Sequence, residues 1–318
     1  MEYRRLGKTD MHVSSIGFGA SPLGNVFDTT DEQDAIRAVH SAIDHGINFF
    51  DVAPFYGDTL AEQRLGKALL NKRNDILLAT KCCRYANGVF DFSYQRVMTS
   101  IDESLERLQT DYVDLFQVHD IEFGDREQVL NEAIPAALAL KKQGKARYVG
   151  FSGLPVRYLA QIAREVEVDT VLSWGHYTLL NDEINDELVP LSKQKGFGLL
   201  NAAPLMQRIL SDAPIPAWQN SPQPVKDLQP KLLDLCREHG IALSDVAIRF
   251  ALDHPAIATT IIGMNAQRQV DQNVRVLDFT IPDGLLERID ALVAPVKNWM
   301  WFEGKPENNV RKPNEINE

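Results

Sequence analysis

The segment INFFDVAPFYGD, residues 47–58, starts as an apolar run and stops being one at Asp51. Ile47 to Phe50 reads as a buried strand. Tyr56 follows five positions past Asp51, beyond a proline, and Gly57 closes the turn. An unpaired carboxylate is costly to bury, so Asp51 needs either a cation or an exposed strand end. The rest of the chain has to supply that cation.

Further apolar runs follow the same plan. Strands are predicted at 15–18, 49–50, 76–80, 112–118, 147–151, 168–172, 198–202 and 259–262. Amphipathic stretches alternate with them, at 32–45, 60–70, 93–109, 126–143, 155–165, 183–194, 225–239, 243–254 and 266–275, and Ser93 is placed to cap one of these. Alternation of this kind implies a parallel sheet, and strands apolar along their whole length imply cover on both faces. Eight such units in 318 residues fit an α/β fold, a single (β/α)8 TIM barrel occupying residues 1–318 as one domain. Residues 1–14 are expected to form a hairpin closing the barrel bottom, and 295–318 a polar tail. An open doubly wound sheet is the runner-up. Its usual GxGxxG fingerprint is missing: Gly17-Phe18-Gly19-Ala20-Ser21-Pro22 lacks the third glycine.

Composition narrows the function classes. The chain is 44% apolar and 24% charged, with a net charge of −11, which suits a well-cored globular protein and disfavours nucleic acid or an anionic membrane as partner. No apolar stretch reaches the roughly 20 residues of a membrane span. Cys82, Cys83 and Cys236 make a poor disulfide framework, so a reduced, cytoplasmic setting is expected.

Barrel enzymes build their sites where strands end. The polar residues closing these runs are Asp51, Lys81 in ILLATK, His119 in YVDLFQVH and Ser152 in YVGFS. Lys81 is the expected partner of Asp51. Its ammonium would also stand near Tyr56 and favour the phenolate. Such a tyrosine exchanges a proton with an alcohol or carbonyl, while a histidine across the pocket holds the reacting oxygen. Taken singly, each residue is more often a helix cap, a packed aromatic, a surface lysine or a core histidine; together, at successive strand ends, they point to a site. No metal site is expected: His119, Asp120 and Glu122 are too few ligands.

With these residues placed, the chain resembles the aldo-keto reductase superfamily. The pattern RxLGxTxxxVSxxGxG is met by residues 4–19 and GxNxxDxAxxYG by 46–57, followed by Lys81, His119, VGFSG at 149–153 and NVRVLDF at 273–279. Within it, GFGASPLG (17–24), SIDESLERLQTDYVD (100–114), HDIEFG (119–124) and PVKNWMW (295–301) look like the L-galactose dehydrogenase subgroup, with L-fucose dehydrogenases nearby. The resemblance implies a monomer or weak homodimer that oxidises a small-molecule sugar at C1 to the aldonolactone. A reductase or dehydrogenase of another small aldehyde or alcohol, such as a pyridoxal-type compound, is the alternative, and a non-catalytic cofactor sensor is the more distant one.

The resemblance also implies roles. Asp51, Tyr56, Lys81 and His119 would be catalytic. Gly19, Ala20, Ser152, Ser173 and Leu205 would hold a nicotinamide cofactor, with Gly263, Met264, Asn265, Gln269 and Asn273 at its adenosine end. The usual nicotinamide clamp is altered: Gly153 stands for an asparagine, Ser173 or Trp174 for a glutamine and Ala202 for an aromatic, leaving His176 or Tyr177 as candidate substitutes. NADP would call for a basic residue at the eighth barrel strand, because phosphate prefers charge-assisted pairing. Gly263, Asn265 and Gln269 are uncharged and Arg268 is one position off, so NAD is expected over NADP. Asn25, Tyr85, Asp120, Phe123, Trp299 and Trp301 are the expected substrate lining, polar edges and aromatic faces together suiting a sugar. Glu122 is read as either pocket wall or solvated loop, and Cys83 as pocket wall.

Overall fold

In the computed structural model, which describes residues 1–309, the apolar runs close on themselves. A hairpin of β1 (Tyr3–Arg5) and β2 (His12–Ser14) precedes the barrel. The barrel strands are β3 (Ile16–Gly19), β4 (Phe49–Asp51), β5 (Leu77–Cys82), β6 (Val113–Val118), β7 (Ala146–Gly153), β8 (Thr170–Trp174), β9 (Gly198–Ala202) and β10 (Ile257–Gly263). Each pairs parallel with the next, and β10 returns to β3 with Thr260 opposite Ile16. The fold is therefore the closed (β/α)8 barrel, not the open sheet.

Helices cover the outside because their apolar stripes must be buried. Helix Tyr94–Leu108 starts at Ser93, whose Oγ accepts the Arg96 N–H at 3.3 Å, and turns Val97, Ile101 and Leu108 inward. The helix expected over 126–143 widens into a π turn at Val129–Ala133, just before Pro135, whose nitrogen has no hydrogen for the preceding turn. A helix at Leu285–Val293 has no counterpart among the expected elements.

The hairpin plugs the barrel. Leu6, Met11 and Val13 pack against Phe49, Ala79, Leu115, Leu172, Leu200 and Ile261 inside it. Leu6 is wholly buried, which stabilises the fold by roughly 1.5–3 kcal/mol. Gly7, at φ +56°, lets the hairpin lie this close: a Cβ there would stand 2.3 Å from the Gly198 nitrogen. At the same end Asp114, on β6, is fully used. It accepts from Arg73 Nη2 and the Leu78 N–H at 2.8 Å and from Arg147 Nη1 at 2.7 Å.

Candidate active site

Register brings the expected residues together. Asp51 lies opposite Ala79, and Lys81 opposite Gln117. Alternate residues of a strand share a face, so Lys81, two beyond Ala79, rises over the end of β4. Lys81 Nζ is ion-paired and hydrogen-bonded to Asp51 Oδ1, and donates to the Val52 carbonyl at 3.0 Å and to Tyr56 Oη at 3.4 Å. Gln117 Nε2 donates to the other Asp51 oxygen at 3.0 Å. Tyr56 is held by a turn in which its N–H reaches the Ala53 carbonyl at 3.1 Å. The His119 ring stands edge-on to Tyr56, centroids 5.8 Å apart at 84°. All four residues sit at the C-terminal mouth, and Asp51, Lys81 and His119 are buried.

Burial and charge compete here. Burial opposes the Lys81 ammonium, but Asp51 beside it wins and lifts its pKa above the ordinary value. Burial pushes the Tyr56 phenol up, and Lys81 offsets only part of that rise. The sequence expectation, with the cation dominant, is thus reversed in sign. Burial also holds His119 down at about 3, with Asp120 opposing, so its imidazole is neutral at ordinary pH.

Around this core the mouth is built from loops. Arg84 pairs with Asp120, and its guanidinium lies 4.0 Å from the centre of the Phe55 ring and 5.2 Å from that of Phe123, which stacks on Phe90 at 4.2 Å. Trp301 is buried beside Trp174 and donates to Glu303 at 2.8 Å. The other expected lining residues are placed differently. Trp299 is exposed. Asn25 Oδ1 accepts from the Thr30 N–H and from Arg64, fastening its own loop. Tyr85 Oη accepts the Cys83 N–H at 3.3 Å, with its ring under Arg96. Glu122 is neither pocket wall nor solvated. It is wholly buried, accepts the Leu154 N–H at 2.9 Å, and burial pushes its carboxyl well up. Cys83 is buried too, its thiol 3.4 Å from that of Cys82.

The expected cofactor residues fall in two groups. Gly19, Ala20, Gly263, Met264 and Asn265 lie along the β3–β10 seam, where the Met264 N–H reaches the Gly19 carbonyl at 3.3 Å. Gln269 and Asn273 follow on helix Gln267–Arg275, and Gln269 Oε1 accepts the Asn265 N–H at 2.8 Å. Across the mouth, Ser152 and Ser173 are buried at the ends of β7 and β8, and Leu205 lies in the turn past β9. His176 is buried with Nδ1 on the Trp174 carbonyl at 3.0 Å, whereas Tyr177 stacks on Phe250 of the helical layer.

Arg84, Gln117, Phe55 and Glu303 join the site without having been anticipated. Gln117 had a signal, a polar residue inside an apolar run. Arg84 had none, since its partners are distant in sequence. Among the described residues there is no cluster of candidate metal ligands and no helix long and apolar enough to cross a membrane.

Comparison with known proteins agrees with this geometry. Over 318 aligned residues the chain is 41% identical to L-galactose dehydrogenase of Arabidopsis thaliana, covering 97% of this chain and 99% of that protein. It is 28% identical to D-threo-aldose 1-dehydrogenase of a Pseudomonas species, covering 89% and 95% respectively. The holo form of aldo-keto reductase AKR11C1 from Bacillus halodurans superposes with a TM-score of 0.79 at 29% identity, over 98% of this chain and all of that one. The model of the aldo/keto reductase family, oxidoreductases that use nicotinamide cofactors, matches residues 15–294, and the chain belongs to that family.

Proposed function

We propose that the chain is an NAD-dependent aldose 1-dehydrogenase that oxidises an L-galactose- or L-fucose-type sugar at C1 to the aldonolactone. The observation that carries this reading is the Asp51–Lys81–Tyr56 chain of contacts beside a neutral His119, in a protein 41% identical along nearly its whole length to L-galactose dehydrogenase.

The seam is the side of the mouth proposed to hold the dinucleotide, since the expected adenosine-end residues meet there. Methyl groups at Gly19 and Gly263 would stand 3.0 Å from the Ile262 carbonyl and from Pro22, so glycines here let the backbone of the seam pack closely. Ser152 Oγ accepts the Asp120 N–H at 3.2 Å and keeps its own proton to donate to a carboxamide. Bound there, the nicotinamide would accept the hydride that leaves C1. Tyr56 would take the proton of the C1 hydroxyl, so that C–H and O–H are both lost and a C=O bond forms. Lys81, kept charged by Asp51, would stabilise the phenolate, and neutral His119 would donate to the sugar oxygen. Preference for NAD is supported by the uncharged Asn265–Gln269 pair, which bonds to itself where a phosphate would need a cation, with Arg268 turned to solvent. A monomer or weak homodimer in the cytoplasm is consistent with the acidic balance and the buried free cysteines.

Initial-rate NADH or NADPH formation from L-galactose, L-fucose and D-arabinose, each with NAD⁺ and NADP⁺, tests the reading. Turnover of L-galactose or L-fucose with NAD⁺ is expected; silence on every sugar would overturn it, and a preference for NADP⁺ would overturn the cofactor assignment. Because the Tyr56 pKa is raised and oxidation needs its basic form, the oxidation rate should climb with pH in the alkaline range. Lys81→Met should push that rise to still higher pH.

A further inference from the structure

The Arg84–Asp120 pair sits at the barrel mouth, outside the Asp51–Lys81–Tyr56 chain of contacts. Buried ion pairs contribute little net stability, so a buried pair at a barrel mouth calls for another explanation. Its surroundings are those of the reacting groups. Asp120 Oδ2, paired with Arg84, also stands 3.4 Å from His119 Nε2. Phe55, which carries the Arg84 guanidinium on its face, meets Tyr56 and His119 at centroid distances of 5.9 and 6.1 Å. Asp120 takes a left-handed backbone, φ +49°, in the turn that leaves His119. Its Oδ1 is buried and has no hydrogen-bond partner. A buried carboxylate oxygen left open beside a catalytic histidine is an acceptor waiting for a donor.

We infer that Asp120, oriented by Arg84, is the specificity residue that accepts a hydroxyl on the carbon next to the reacting one, so that the site selects 2-hydroxylated substrates. This rests on the aldose reading above. With the C1 oxygen between Tyr56 and His119, the C2 hydroxyl, on the carbon next to C1, is the nearest hydroxyl to extend past His119 toward Asp120, whose Oδ2 stands 3.4 Å from His119 Nε2. Arg84 supplies the opposite charge, and the aromatic rings around it give the apolar surface that sugar C–H faces need.

The test uses two substrate pairs that differ only at C2: L-galactose against its 2-deoxy analogue in oxidation, and glyceraldehyde against 3-hydroxypropanal in reduction with NADH. Wild type should prefer the hydroxylated member of each pair, and Asp120→Asn should reduce that preference about ten- to hundredfold in kcat/KM, the range for a charge-assisted hydrogen bond. Equal losses on both members would mean that Asp120 only orients His119, and an unchanged preference would mean that it touches neither; either result overturns the inference. If wild type oxidises no sugar, the aldose reading fails, but the glyceraldehyde pair still decides the role of Asp120. If Asp120→Asn does not fold, Arg84→Met decides instead. It keeps the carboxyl without its counter-charge, among His119, Lys81, Glu122 and Glu303, so the carboxyl should protonate at higher pH. The 2-hydroxyl preference should then fade as pH falls, and a preference independent of pH would overturn the inference.

Discussion

Strand β6 ends in two different environments. Near its start, Asp114 accepts three hydrogen bonds, two of them from arginines. At and past its other end, Gln117 Oε1, His119 Nδ1, Asp120 Oδ1 and Glu122 Oε2 are all buried without a partner. Backbone strain divides the same way. Left-handed residues other than glycine gather in the loops that follow strands, among them Asn25, Asp58, Thr59, Cys83, Asp120 and the run Met206–Arg208, while the helix-to-strand turns hold only Asn71 and Gln109. The start of β6 satisfies its buried carboxylate and so contributes stability. The other end leaves polar groups open, which costs stability and keeps acceptors and donors ready for a substrate.

That contrast can be broken by experiment. The largest effect is expected at the mouth. Tyr56→Phe removes one oxygen and should lower turnover about a hundred- to ten-thousandfold with little change in Tm or in NADH affinity. Near-normal kcat would refute its role. At the opposite end the signs reverse. Asp114→Ala takes a buried acceptor from Arg73, Arg147 and the Leu78 N–H and should cost about 2–5 kcal/mol in denaturant unfolding, while the folded fraction keeps its kcat. A catalytic defect out of proportion to unfolding would show that the two ends are coupled. Leu6→Ala should leave a cavity in the plug and cost about 2–5 kcal/mol, again with kcat unchanged. The smallest effect is assigned to Trp299→Ala. This tryptophan is exposed while Trp301 is buried, so stability should shift by no more than about 0.5 kcal/mol and KM for the sugar hardly at all. A large rise in KM would return Trp299 to the pocket wall.

The barrel was legible because its strands are apolar along their whole length and its helices strongly amphipathic, signals that need only neighbouring residues. The four strand-end residues were legible for a related reason, since each interrupts an apolar run. Asn25 was harder: its type suits a sugar pocket, but its carbonyl is taken by Thr30 and Arg64, and only the folded loop reveals that. Arg84 meets Asp120 across 36 positions of sequence, and nothing local announces the pairing. The Tyr56 pKa was misjudged in sign because sequence shows which charge is near and not how much water is gone. Residues 310–318 of the expected tail lie outside the described structure.

The seam between β3 and β10 joins residues 16–19 to residues 260–263. All four candidate catalytic residues lie between positions 51 and 119, so they are in the chain long before the strand that closes the circle exists. Bringing two such distant segments together is entropically slow, and contacts of this range set the pace of folding. During synthesis, then, the candidate proton-handling groups are all present on a half-built sheet, whereas the seam proposed to hold the dinucleotide cannot exist until the barrel shuts. Forming the seam half of the proposed cofactor site and completing the fold are one event.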